Sequence, residues 1–259
     1  MKNALFKSLI FTVVFSLLLS FSVYAKGDVY SWCTPRNGNK QPVFSKEAAL
    51  VEDNGGFYID KNHGDSAEEK VLYLTFDAGY ENGNVEKILD TMKDKGVTGA
   101  FFVLDNLIIK NPDLIRRMKN EGHLICNHTK SHKNLTKCTE EEIKADLLAL
   151  EEICIKNTGI ELDKYFRFPE GKYSIESLKC VNNLGYKTVF WSFGYADWDN
   201  NNQPSESYAI KKILSNTHNG AVILLHPTSS TNARILPTLI DAWCAMGYRF
   251  GTLDELTEK

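Results

Sequence analysis

Val71-Leu-Tyr-Leu-Thr-Phe-Asp77-Ala-Gly79 opens with six strand-forming residues, apolar on both faces, and ends on a carboxylate and a glycine. A run without a polar face suits a strand buried on both sides, as in a parallel sheet covered by helices. Downstream, Val85, Ile88, Leu89 and Met92 share one helical face, and Gly96 is a stop signal. Residues 99–104 read as the next strand, and Asn111-Pro112 opens a helix closed by Gly122. His123-Leu-Ile-Cys126 is a third strand, and Thr139 with Glu142 forms a capping box for a helix reaching Gly159. Residues 165–168, 187–192, 221–225 and 249–253 read as further strands. Helices are expected from Ser174 to Gly185, over 205–215, and around Leu236, Ile240 and Trp243, with Pro237 tolerable only near a first turn. Seven alternations in one direction predict an α/β fold, either a barrel or a doubly wound sheet.

Upstream the pattern changes. Lys2 and Lys7 precede an apolar run from Leu9 to about Val23, and Val23-Tyr-Ala25 resembles a cleavage box. Residues 1–25 therefore read as a secretory signal, with a retained membrane anchor as the rival. Residues 26–68 are polar and rich in glycine and asparagine, an extension packing on a domain that spans 69–259. A net charge of −3, with lysines interleaved among acids, gives no sign of nucleic-acid binding. The six cysteines are too sparse for a disulfide scaffold and form no CxxC pair. Mostly free, buried thiols are expected, with Cys154 and Cys244 as small core residues.

In parallel α/β folds, sites gather where strands end and loops begin. Asp77 follows the first strand, His128 and His132 the third, and Arg167 lies at the end of the fourth. Asp197 and Trp198 follow the fifth strand, and His226 closes the sixth. His128 and His132, four residues apart, can meet one cation if their segment turns helically; otherwise they cap backbone groups. His123 suits a strand-start histidine satisfied by backbone. Asp77 is a base, a ligand or a helix cap, and His226 a general acid or a core histidine. Arg167 and Asp197 could form a structural ion pair.

Five segments together resemble the polysaccharide deacetylase family, which includes chitin, peptidoglycan and nodulation-factor deacetylases. Thr75-Phe-Asp77-Ala-Gly79 resembles TFDDG, His128-Thr-Lys-Ser-His132 resembles H[ST]xxH, and Arg167-Phe-Pro-Glu-Gly171 matches RxPxG. Ala196-Asp197-Trp198 and Leu224-Leu-His226 resemble the remaining two motifs. The resemblance covers roughly residues 69–256 and implies a distorted (β/α)7 barrel. Tyr80-Glu-Asn-Gly83, with Lys172-Tyr-Ser174 and Val189-Phe-Trp-Ser192, narrows it to the muramic-acid branch, which deacetylates N-acetylmuramic acid during δ-lactam formation in spore cortex.

The resemblance implies Asp77 as general base, His128 and His132 as metal ligands, and His226 as general acid. It implies that Arg167 holds Asp77, that Asp197 keeps His226 charged, and that an amide near Glu170 receives the oxyanion. Trp198 and Leu224 would wall the acetyl pocket. The implied cofactor is a divalent metal, zinc first, with cobalt, nickel or manganese as alternatives. The implied partner is a peptidoglycan glycan strand in the cell wall, or in the space around a forespore. One position departs from the pattern: Ala78 stands where most of the family has a second aspartate ligand. Weaker metal binding, an added water ligand, or recruitment of Asp77 is expected. Lys172 is a candidate cation for the lactyl carboxylate. Rival functions are deacetylation of N-acetylglucosamine polymers and a wall-binding pseudoenzyme.

Overall fold

The computed structural model describes residues 27–258; the signal-peptide reading lies outside them. Its spine is β3 (Lys70–Ala78), whose interior is almost entirely buried. Alternation along a strand sends successive side chains to opposite faces. Leu72, Leu74, Phe76 and Ala78 join a cluster under the helices, while Val71 and Tyr73 join a second cluster inside the curled sheet. Thr75 and Asp77 share the inner parity, so the strand delivers its polar residues to the lumen.

The parallel neighbours follow in order: β4 (Ala100–Val103), β5 (Leu124–Asn127), β6 (Asp163–Phe166) and β8 (Lys187–Val189). On its other edge β3 pairs with β9 (Ala221–Leu225), in register from Leu72↔Ala221 to Phe76↔Leu225. Beside β4, the lower part of β3 also pairs with β10 (Tyr248–Phe250). Between β8 and β9 the gap is filled twice. Near the base, β2 (Gly56–Phe57) pairs with β8, and Ile59 bridges Ala221. Higher up, Ser192 and Phe193 donate to the Val222 carbonyl at 3.0 and 3.2 Å. The result is a distorted (β/α) barrel.

Helices cover the outside: α2 (Val85–Lys95), α3 (Asp105–Lys110), α4 (Pro112–Asn120), α5 (Glu140–Thr158), α6 (Ile175–Asn183), α7 (Glu206–Leu214) and α8 (Ser230–Ala245). The Thr139–Glu142 capping box is present at the start of α5. The short α9 (Leu253–Thr257) closes the lumen from below with Leu253 and Leu256.

Several sequence expectations need correction. Pro237 sits inside α8, well past its first turn, where the surrounding apolar packing of Ile235, Leu236, Leu239 and Ile240 outweighs the lost hydrogen bond. All six cysteines are free, but Cys244 and Cys33 are exposed and Cys138 is half-buried; only Cys126, Cys154 and Cys180 are buried. The fifth strand stops at Val189 rather than 192, because the chain leaves β8 there to bond β9. The short elements α3, α9, β1 (Tyr30–Ser31), β2 and β7 (Lys172–Tyr173) carry too few residues to show a period.

Residues 27–68 contribute α1 (Lys46–Asp53), β1 and β2, and share an aromatic core with the barrel. Trp32 stacks on Phe190 at 4.7 Å and on Phe44 at 5.2 Å. Phe190 and Phe166 are fully buried in the same cluster. Trp32→Ala and Phe190→Ala should each lower the unfolding free energy by about 3–5 kcal/mol in a urea titration. The double variant should fall short of the sum by about 0.5–1.5 kcal/mol, the coupling of a stacked pair. Strict additivity would contradict this packing.

Candidate active site

The lumen ends at its upper mouth in a buried ion. Arg167 follows β6 immediately, keeps the inward parity of Tyr165, and is fully buried. Its Nη1 donates to Asp77 Oδ1 and its Nη2 to Thr75 Oγ1, both at 2.9 Å. Nε donates to the Val189 carbonyl at 2.9 Å, and Nη2 also to the Phe190 carbonyl at 3.2 Å. The guanidinium lies over the Phe102 ring at 4.2 Å. Thr75 is fixed in turn by donating to the Ile223 carbonyl at 2.7 Å. Burial pushes the Asp77 carboxyl up, but His128, Arg167 and His226 together hold it below the ordinary aspartate range.

On the opposite wall His226 follows β9, whose Leu224 is buried with the inward parity. His226 Nδ1 lies 2.7 Å from Asp197 Oδ1, and its backbone amide donates to Asp197 Oδ2 at 2.9 Å. A carboxylate only accepts, so Nδ1 bears hydrogen and Nε2 is left for exchange with the cleft. Burial lowers the His226 pKa, but Asp197 and Asp77 outweigh it, and the net shift is upward. Arg167 and Asp197 do not pair with each other; each braces a different titratable group. Trp198, exposed, presents its ring at 6.1 Å to that of His226.

The histidine pair is built differently from the expected helical turn. Residues 128–133 form an irregular loop, and both Thr129 (φ 70°) and His132 (φ 57°) are left-handed. These two residues fold His132 back, so the imidazole centroids lie 5.0 Å apart. A β-branched residue at positive φ is strained. Asn127 holds the strain in place: its Oδ1 accepts from the Thr129 amide at 2.9 Å, while its Nδ2 donates to the Leu147 carbonyl and Tyr186. The remaining non-glycine residue with positive φ among those described is Glu170 (φ 55°). As the second residue of a one-turn helix, its amide has no intrahelical acceptor. Its carboxylate pairs with Lys172 at the rim.

His128 suits a cation. His128 Nδ1 lies 2.8 Å from the Arg167 carbonyl. A carbonyl can only accept, so Nδ1 carries the hydrogen and Nε2 keeps its lone pair. Burial lowers the His128 pKa to about 4, which keeps the ring neutral. Nε2 lies 3.5 Å from Asp77 Oδ2. Among the described residues no three His, Cys, Asp or Glu side chains form a ready cation cluster. Ala78, where a third ligand would stand, is fully buried under the helices.

A family model described as polysaccharide deacetylase matches residues 64–189. The chain is 40% identical over 228 residues to the peptidoglycan-N-acetylmuramic acid deacetylase PdaA of Bacillus subtilis, covering 87% of this chain and 85% of that protein. The chain belongs to the polysaccharide deacetylase family. The solved structure of B. subtilis PdaA, a family 4 carbohydrate esterase, aligns with a TM-score of 0.82 at 38% identity, covering 88% of this chain and 97% of that one. The peptidoglycan-N-acetylglucosamine deacetylase PgdA of Listeria monocytogenes is 32% identical over 72% of this chain but only 39% of its own length.

Several supporting residues escape the motifs. Asn232, fully buried in the first turn of α8, donates to Asp197 Oδ2 at 2.6 Å and to the His226 carbonyl at 3.1 Å. Tyr195 donates to the Asn232 side-chain oxygen. Only the cap at Ser229, three residues before Asn232, hints at its place. His123 is satisfied at Nδ1 by the Gly99 amide at 3.1 Å, away from the site, and its Nε2 has no partner among the described residues. Removing one member of the Asp77–Arg167 pair strands the other. Arg167→Met should cost about 3–5 kcal/mol in urea unfolding, and Arg167→Met with Asp77→Asn should recover part of it. Equal losses for the single and double variants would refute the pairing.

Proposed function

We propose that the protein is an exported peptidoglycan N-acetylmuramic acid deacetylase that hydrolyses the N-acetyl amide to a free amine and acetate. The observation that supports this best is the two-walled site: Asp77 braced by Arg167 on one side, His226 braced by Asp197 on the other. Their environments displace Asp77 downward and His226 upward, so the first favours its ionised form and the second its protonated form. An ionised base facing a protonated acid is what amide hydrolysis requires.

In the proposed reaction Asp77 takes a proton from water as its oxygen bonds to the acetyl carbon. Arg167 keeps the carboxylate oriented toward that water. The Glu170 amide would donate to the oxyanion, and its left-handed backbone supports that role. His226 Nε2 then gives its proton to the sugar nitrogen as the C–N bond breaks. Asp197 holds the imidazole through its Nδ1–H, and Asn232 anchors Asp197 in turn. Leu224 and Trp198 wall the acetyl group. A divalent cation on His128 and His132 (zinc, or cobalt, nickel or manganese) would polarise the carbonyl and acidify the water. With Ala78 unable to ligate, Asp77 Oδ2 is the nearest further donor, and weak metal affinity is expected.

Muramic acid is favoured over glucosamine because the PdaA relative matches almost end to end, whereas PgdA matches only in part. Lys172 is the proposed partner of the lactyl carboxylate, in competition with Glu170. Residues 1–25 would serve as the export signal, 26–68 as an extension on the barrel domain at 69–259, and δ-lactam formation in spore cortex as the setting. No described helix is long and apolar enough to cross a membrane.

The purified protein should release acetate from peptidoglycan stripped of stem peptides, and chelation should abolish the release until zinc is restored. His226→Ala should lower the rate about 10²–10⁴-fold. Acetate released from N-acetylglucosamine oligomers but not from stripped peptidoglycan would overturn the muramic reading. Unchanged release by His226→Ala would overturn the assignment of the acid.

A further inference from the structure

Phe193-Gly194-Tyr195 forms a corner between the filled gap in the barrel and the acid wall of the site. The Leu224 amide donates to the Phe193 carbonyl at 2.8 Å, so the corner is bonded to the strand that leads into His226. A side chain at Gly194 would be crowded: its Cβ would stand 3.2 Å from Trp191 Nε1 and 3.6 Å from Leu224 Cβ. The corner therefore lies close against the wall that carries the acid.

The extension before the barrel reaches the same corner. Arg36 Nη2 donates to the Gly194 carbonyl at 2.6 Å, and the guanidinium lies 4.7 Å over the Phe193 ring. The chain that carries Arg36 is fixed on both sides. Trp32 Nε1 donates to the Trp191 carbonyl at 2.8 Å, and Asn39 Nδ2 to the Leu214 and Thr217 carbonyls at 2.7 and 2.9 Å. Burial lowers the Arg36 pKa. The contact thus holds a charge partly out of water, where a planar guanidinium suits both a ring and a carbonyl.

The last residue of the corner turns toward the acid. Tyr195 is buried, and burial and the Asp197 charge raise its pKa, so the hydroxyl keeps its proton. It donates to the Asn232 side-chain oxygen, which leaves Asn232 Nδ2 facing Asp197 Oδ2 at 2.6 Å. The opposite amide orientation would set two acceptors against each other. A phenylalanine at 195 would leave the amide oxygen buried without its donor.

We infer, on the proposed reading of His226 as the acid, that Arg36 and Tyr195 are positioning residues for it. Arg36 fixes the corner, Tyr195 fixes Asn232 from that corner, and Asn232 fixes Asp197. Residues outside the barrel thereby influence the rate of the reaction.

Wild type, Arg36→Ala, Tyr195→Phe and the double variant are compared on soluble peptide-stripped glycan, with urea unfolding to establish that each is folded. Tyr195→Phe should lower kcat about tenfold and leave KM within about twofold, the signature of a lost transition-state interaction. Arg36→Ala should lower kcat about three- to fivefold. Because the two act in series, the double variant should lose no more than Tyr195→Phe alone. Proton NMR of the imidazole N–H groups needs no turnover. Each single variant should shift the His226 Nδ1–H signal and leave the His128 Nδ1–H signal in place. Losses that multiply, an unchanged kcat, a rise in KM alone, or equal movement of both signals would overturn these roles. A shifted His226 signal in a protein whose wild type releases no acetate would uphold the positioning and sink the deacetylase reading. Acetate release by wild type, with neither rate nor signal altered in the variants, would do the reverse.

Discussion

The site depends on a guanidinium inside a barrel. Arg167 occupies a lumen position where an aliphatic side chain would pack without penalty, and its burial is costly unless every donor is used. Its donors reach Asp77, Thr75 and the carbonyls of Val189 and Phe190, so one residue ties β3 to the end of β8. Such a pair is weak evidence for stability. Its consequence is positional: Asp77 cannot rotate away, and the carboxylate stays ionised despite its burial. The Arg167 carbonyl adds to this by fixing the His128 tautomer. The proposed base and the proposed cation-binding nitrogen are therefore aligned by the same residue.

Around this anchor the loops are strained where chemistry is expected. Thr129, His132 and Glu170 are the described non-glycine residues with positive φ, and all three border the cleft. Thr129 and Glu170 are held by their surroundings. Asn127 braces Thr129 from the helix side of β5, and the loop at Glu170 is clamped where Trp32 donates to the Gly171 carbonyl at 2.9 Å. The residues before the barrel thus bear on the site loop as well as on the aromatic core.

Sequence made the strand ends legible because period and burial coincide there. Asp77, Arg167 and His226 could be placed from the apolar runs that precede them. Their pairing could not, since parity alone puts Arg167 and Asp77 in the same lumen without saying which donor meets which acceptor. The histidine loop is illegible for a related reason: HxxxH spacing is compatible with a helical turn, but the left-handed Thr129 reaches the same convergence by another route. Asn232 has only the Ser229 cap as a local signature and the strand pairing of residues 56–57 has none, because both are defined by partners far along the chain. Pro237 shows tertiary packing overriding a local rule.

In the proposed mechanism Ala78 shifts weight from the cation to the acid–base pair, since one carboxylate fewer is available to hold charge. The pH dependence of acetate release by wild type and Asp197→Asn tests that pair most directly. Activity should rise as Asp77 loses its proton, below the ordinary aspartate range, and fall as His226 loses its proton, above the ordinary histidine value. Asp197→Asn removes the charge that raises His226, so its alkaline limb should move to lower pH while the acid limb stays. An alkaline limb that does not move, or moves upward, would contradict the account.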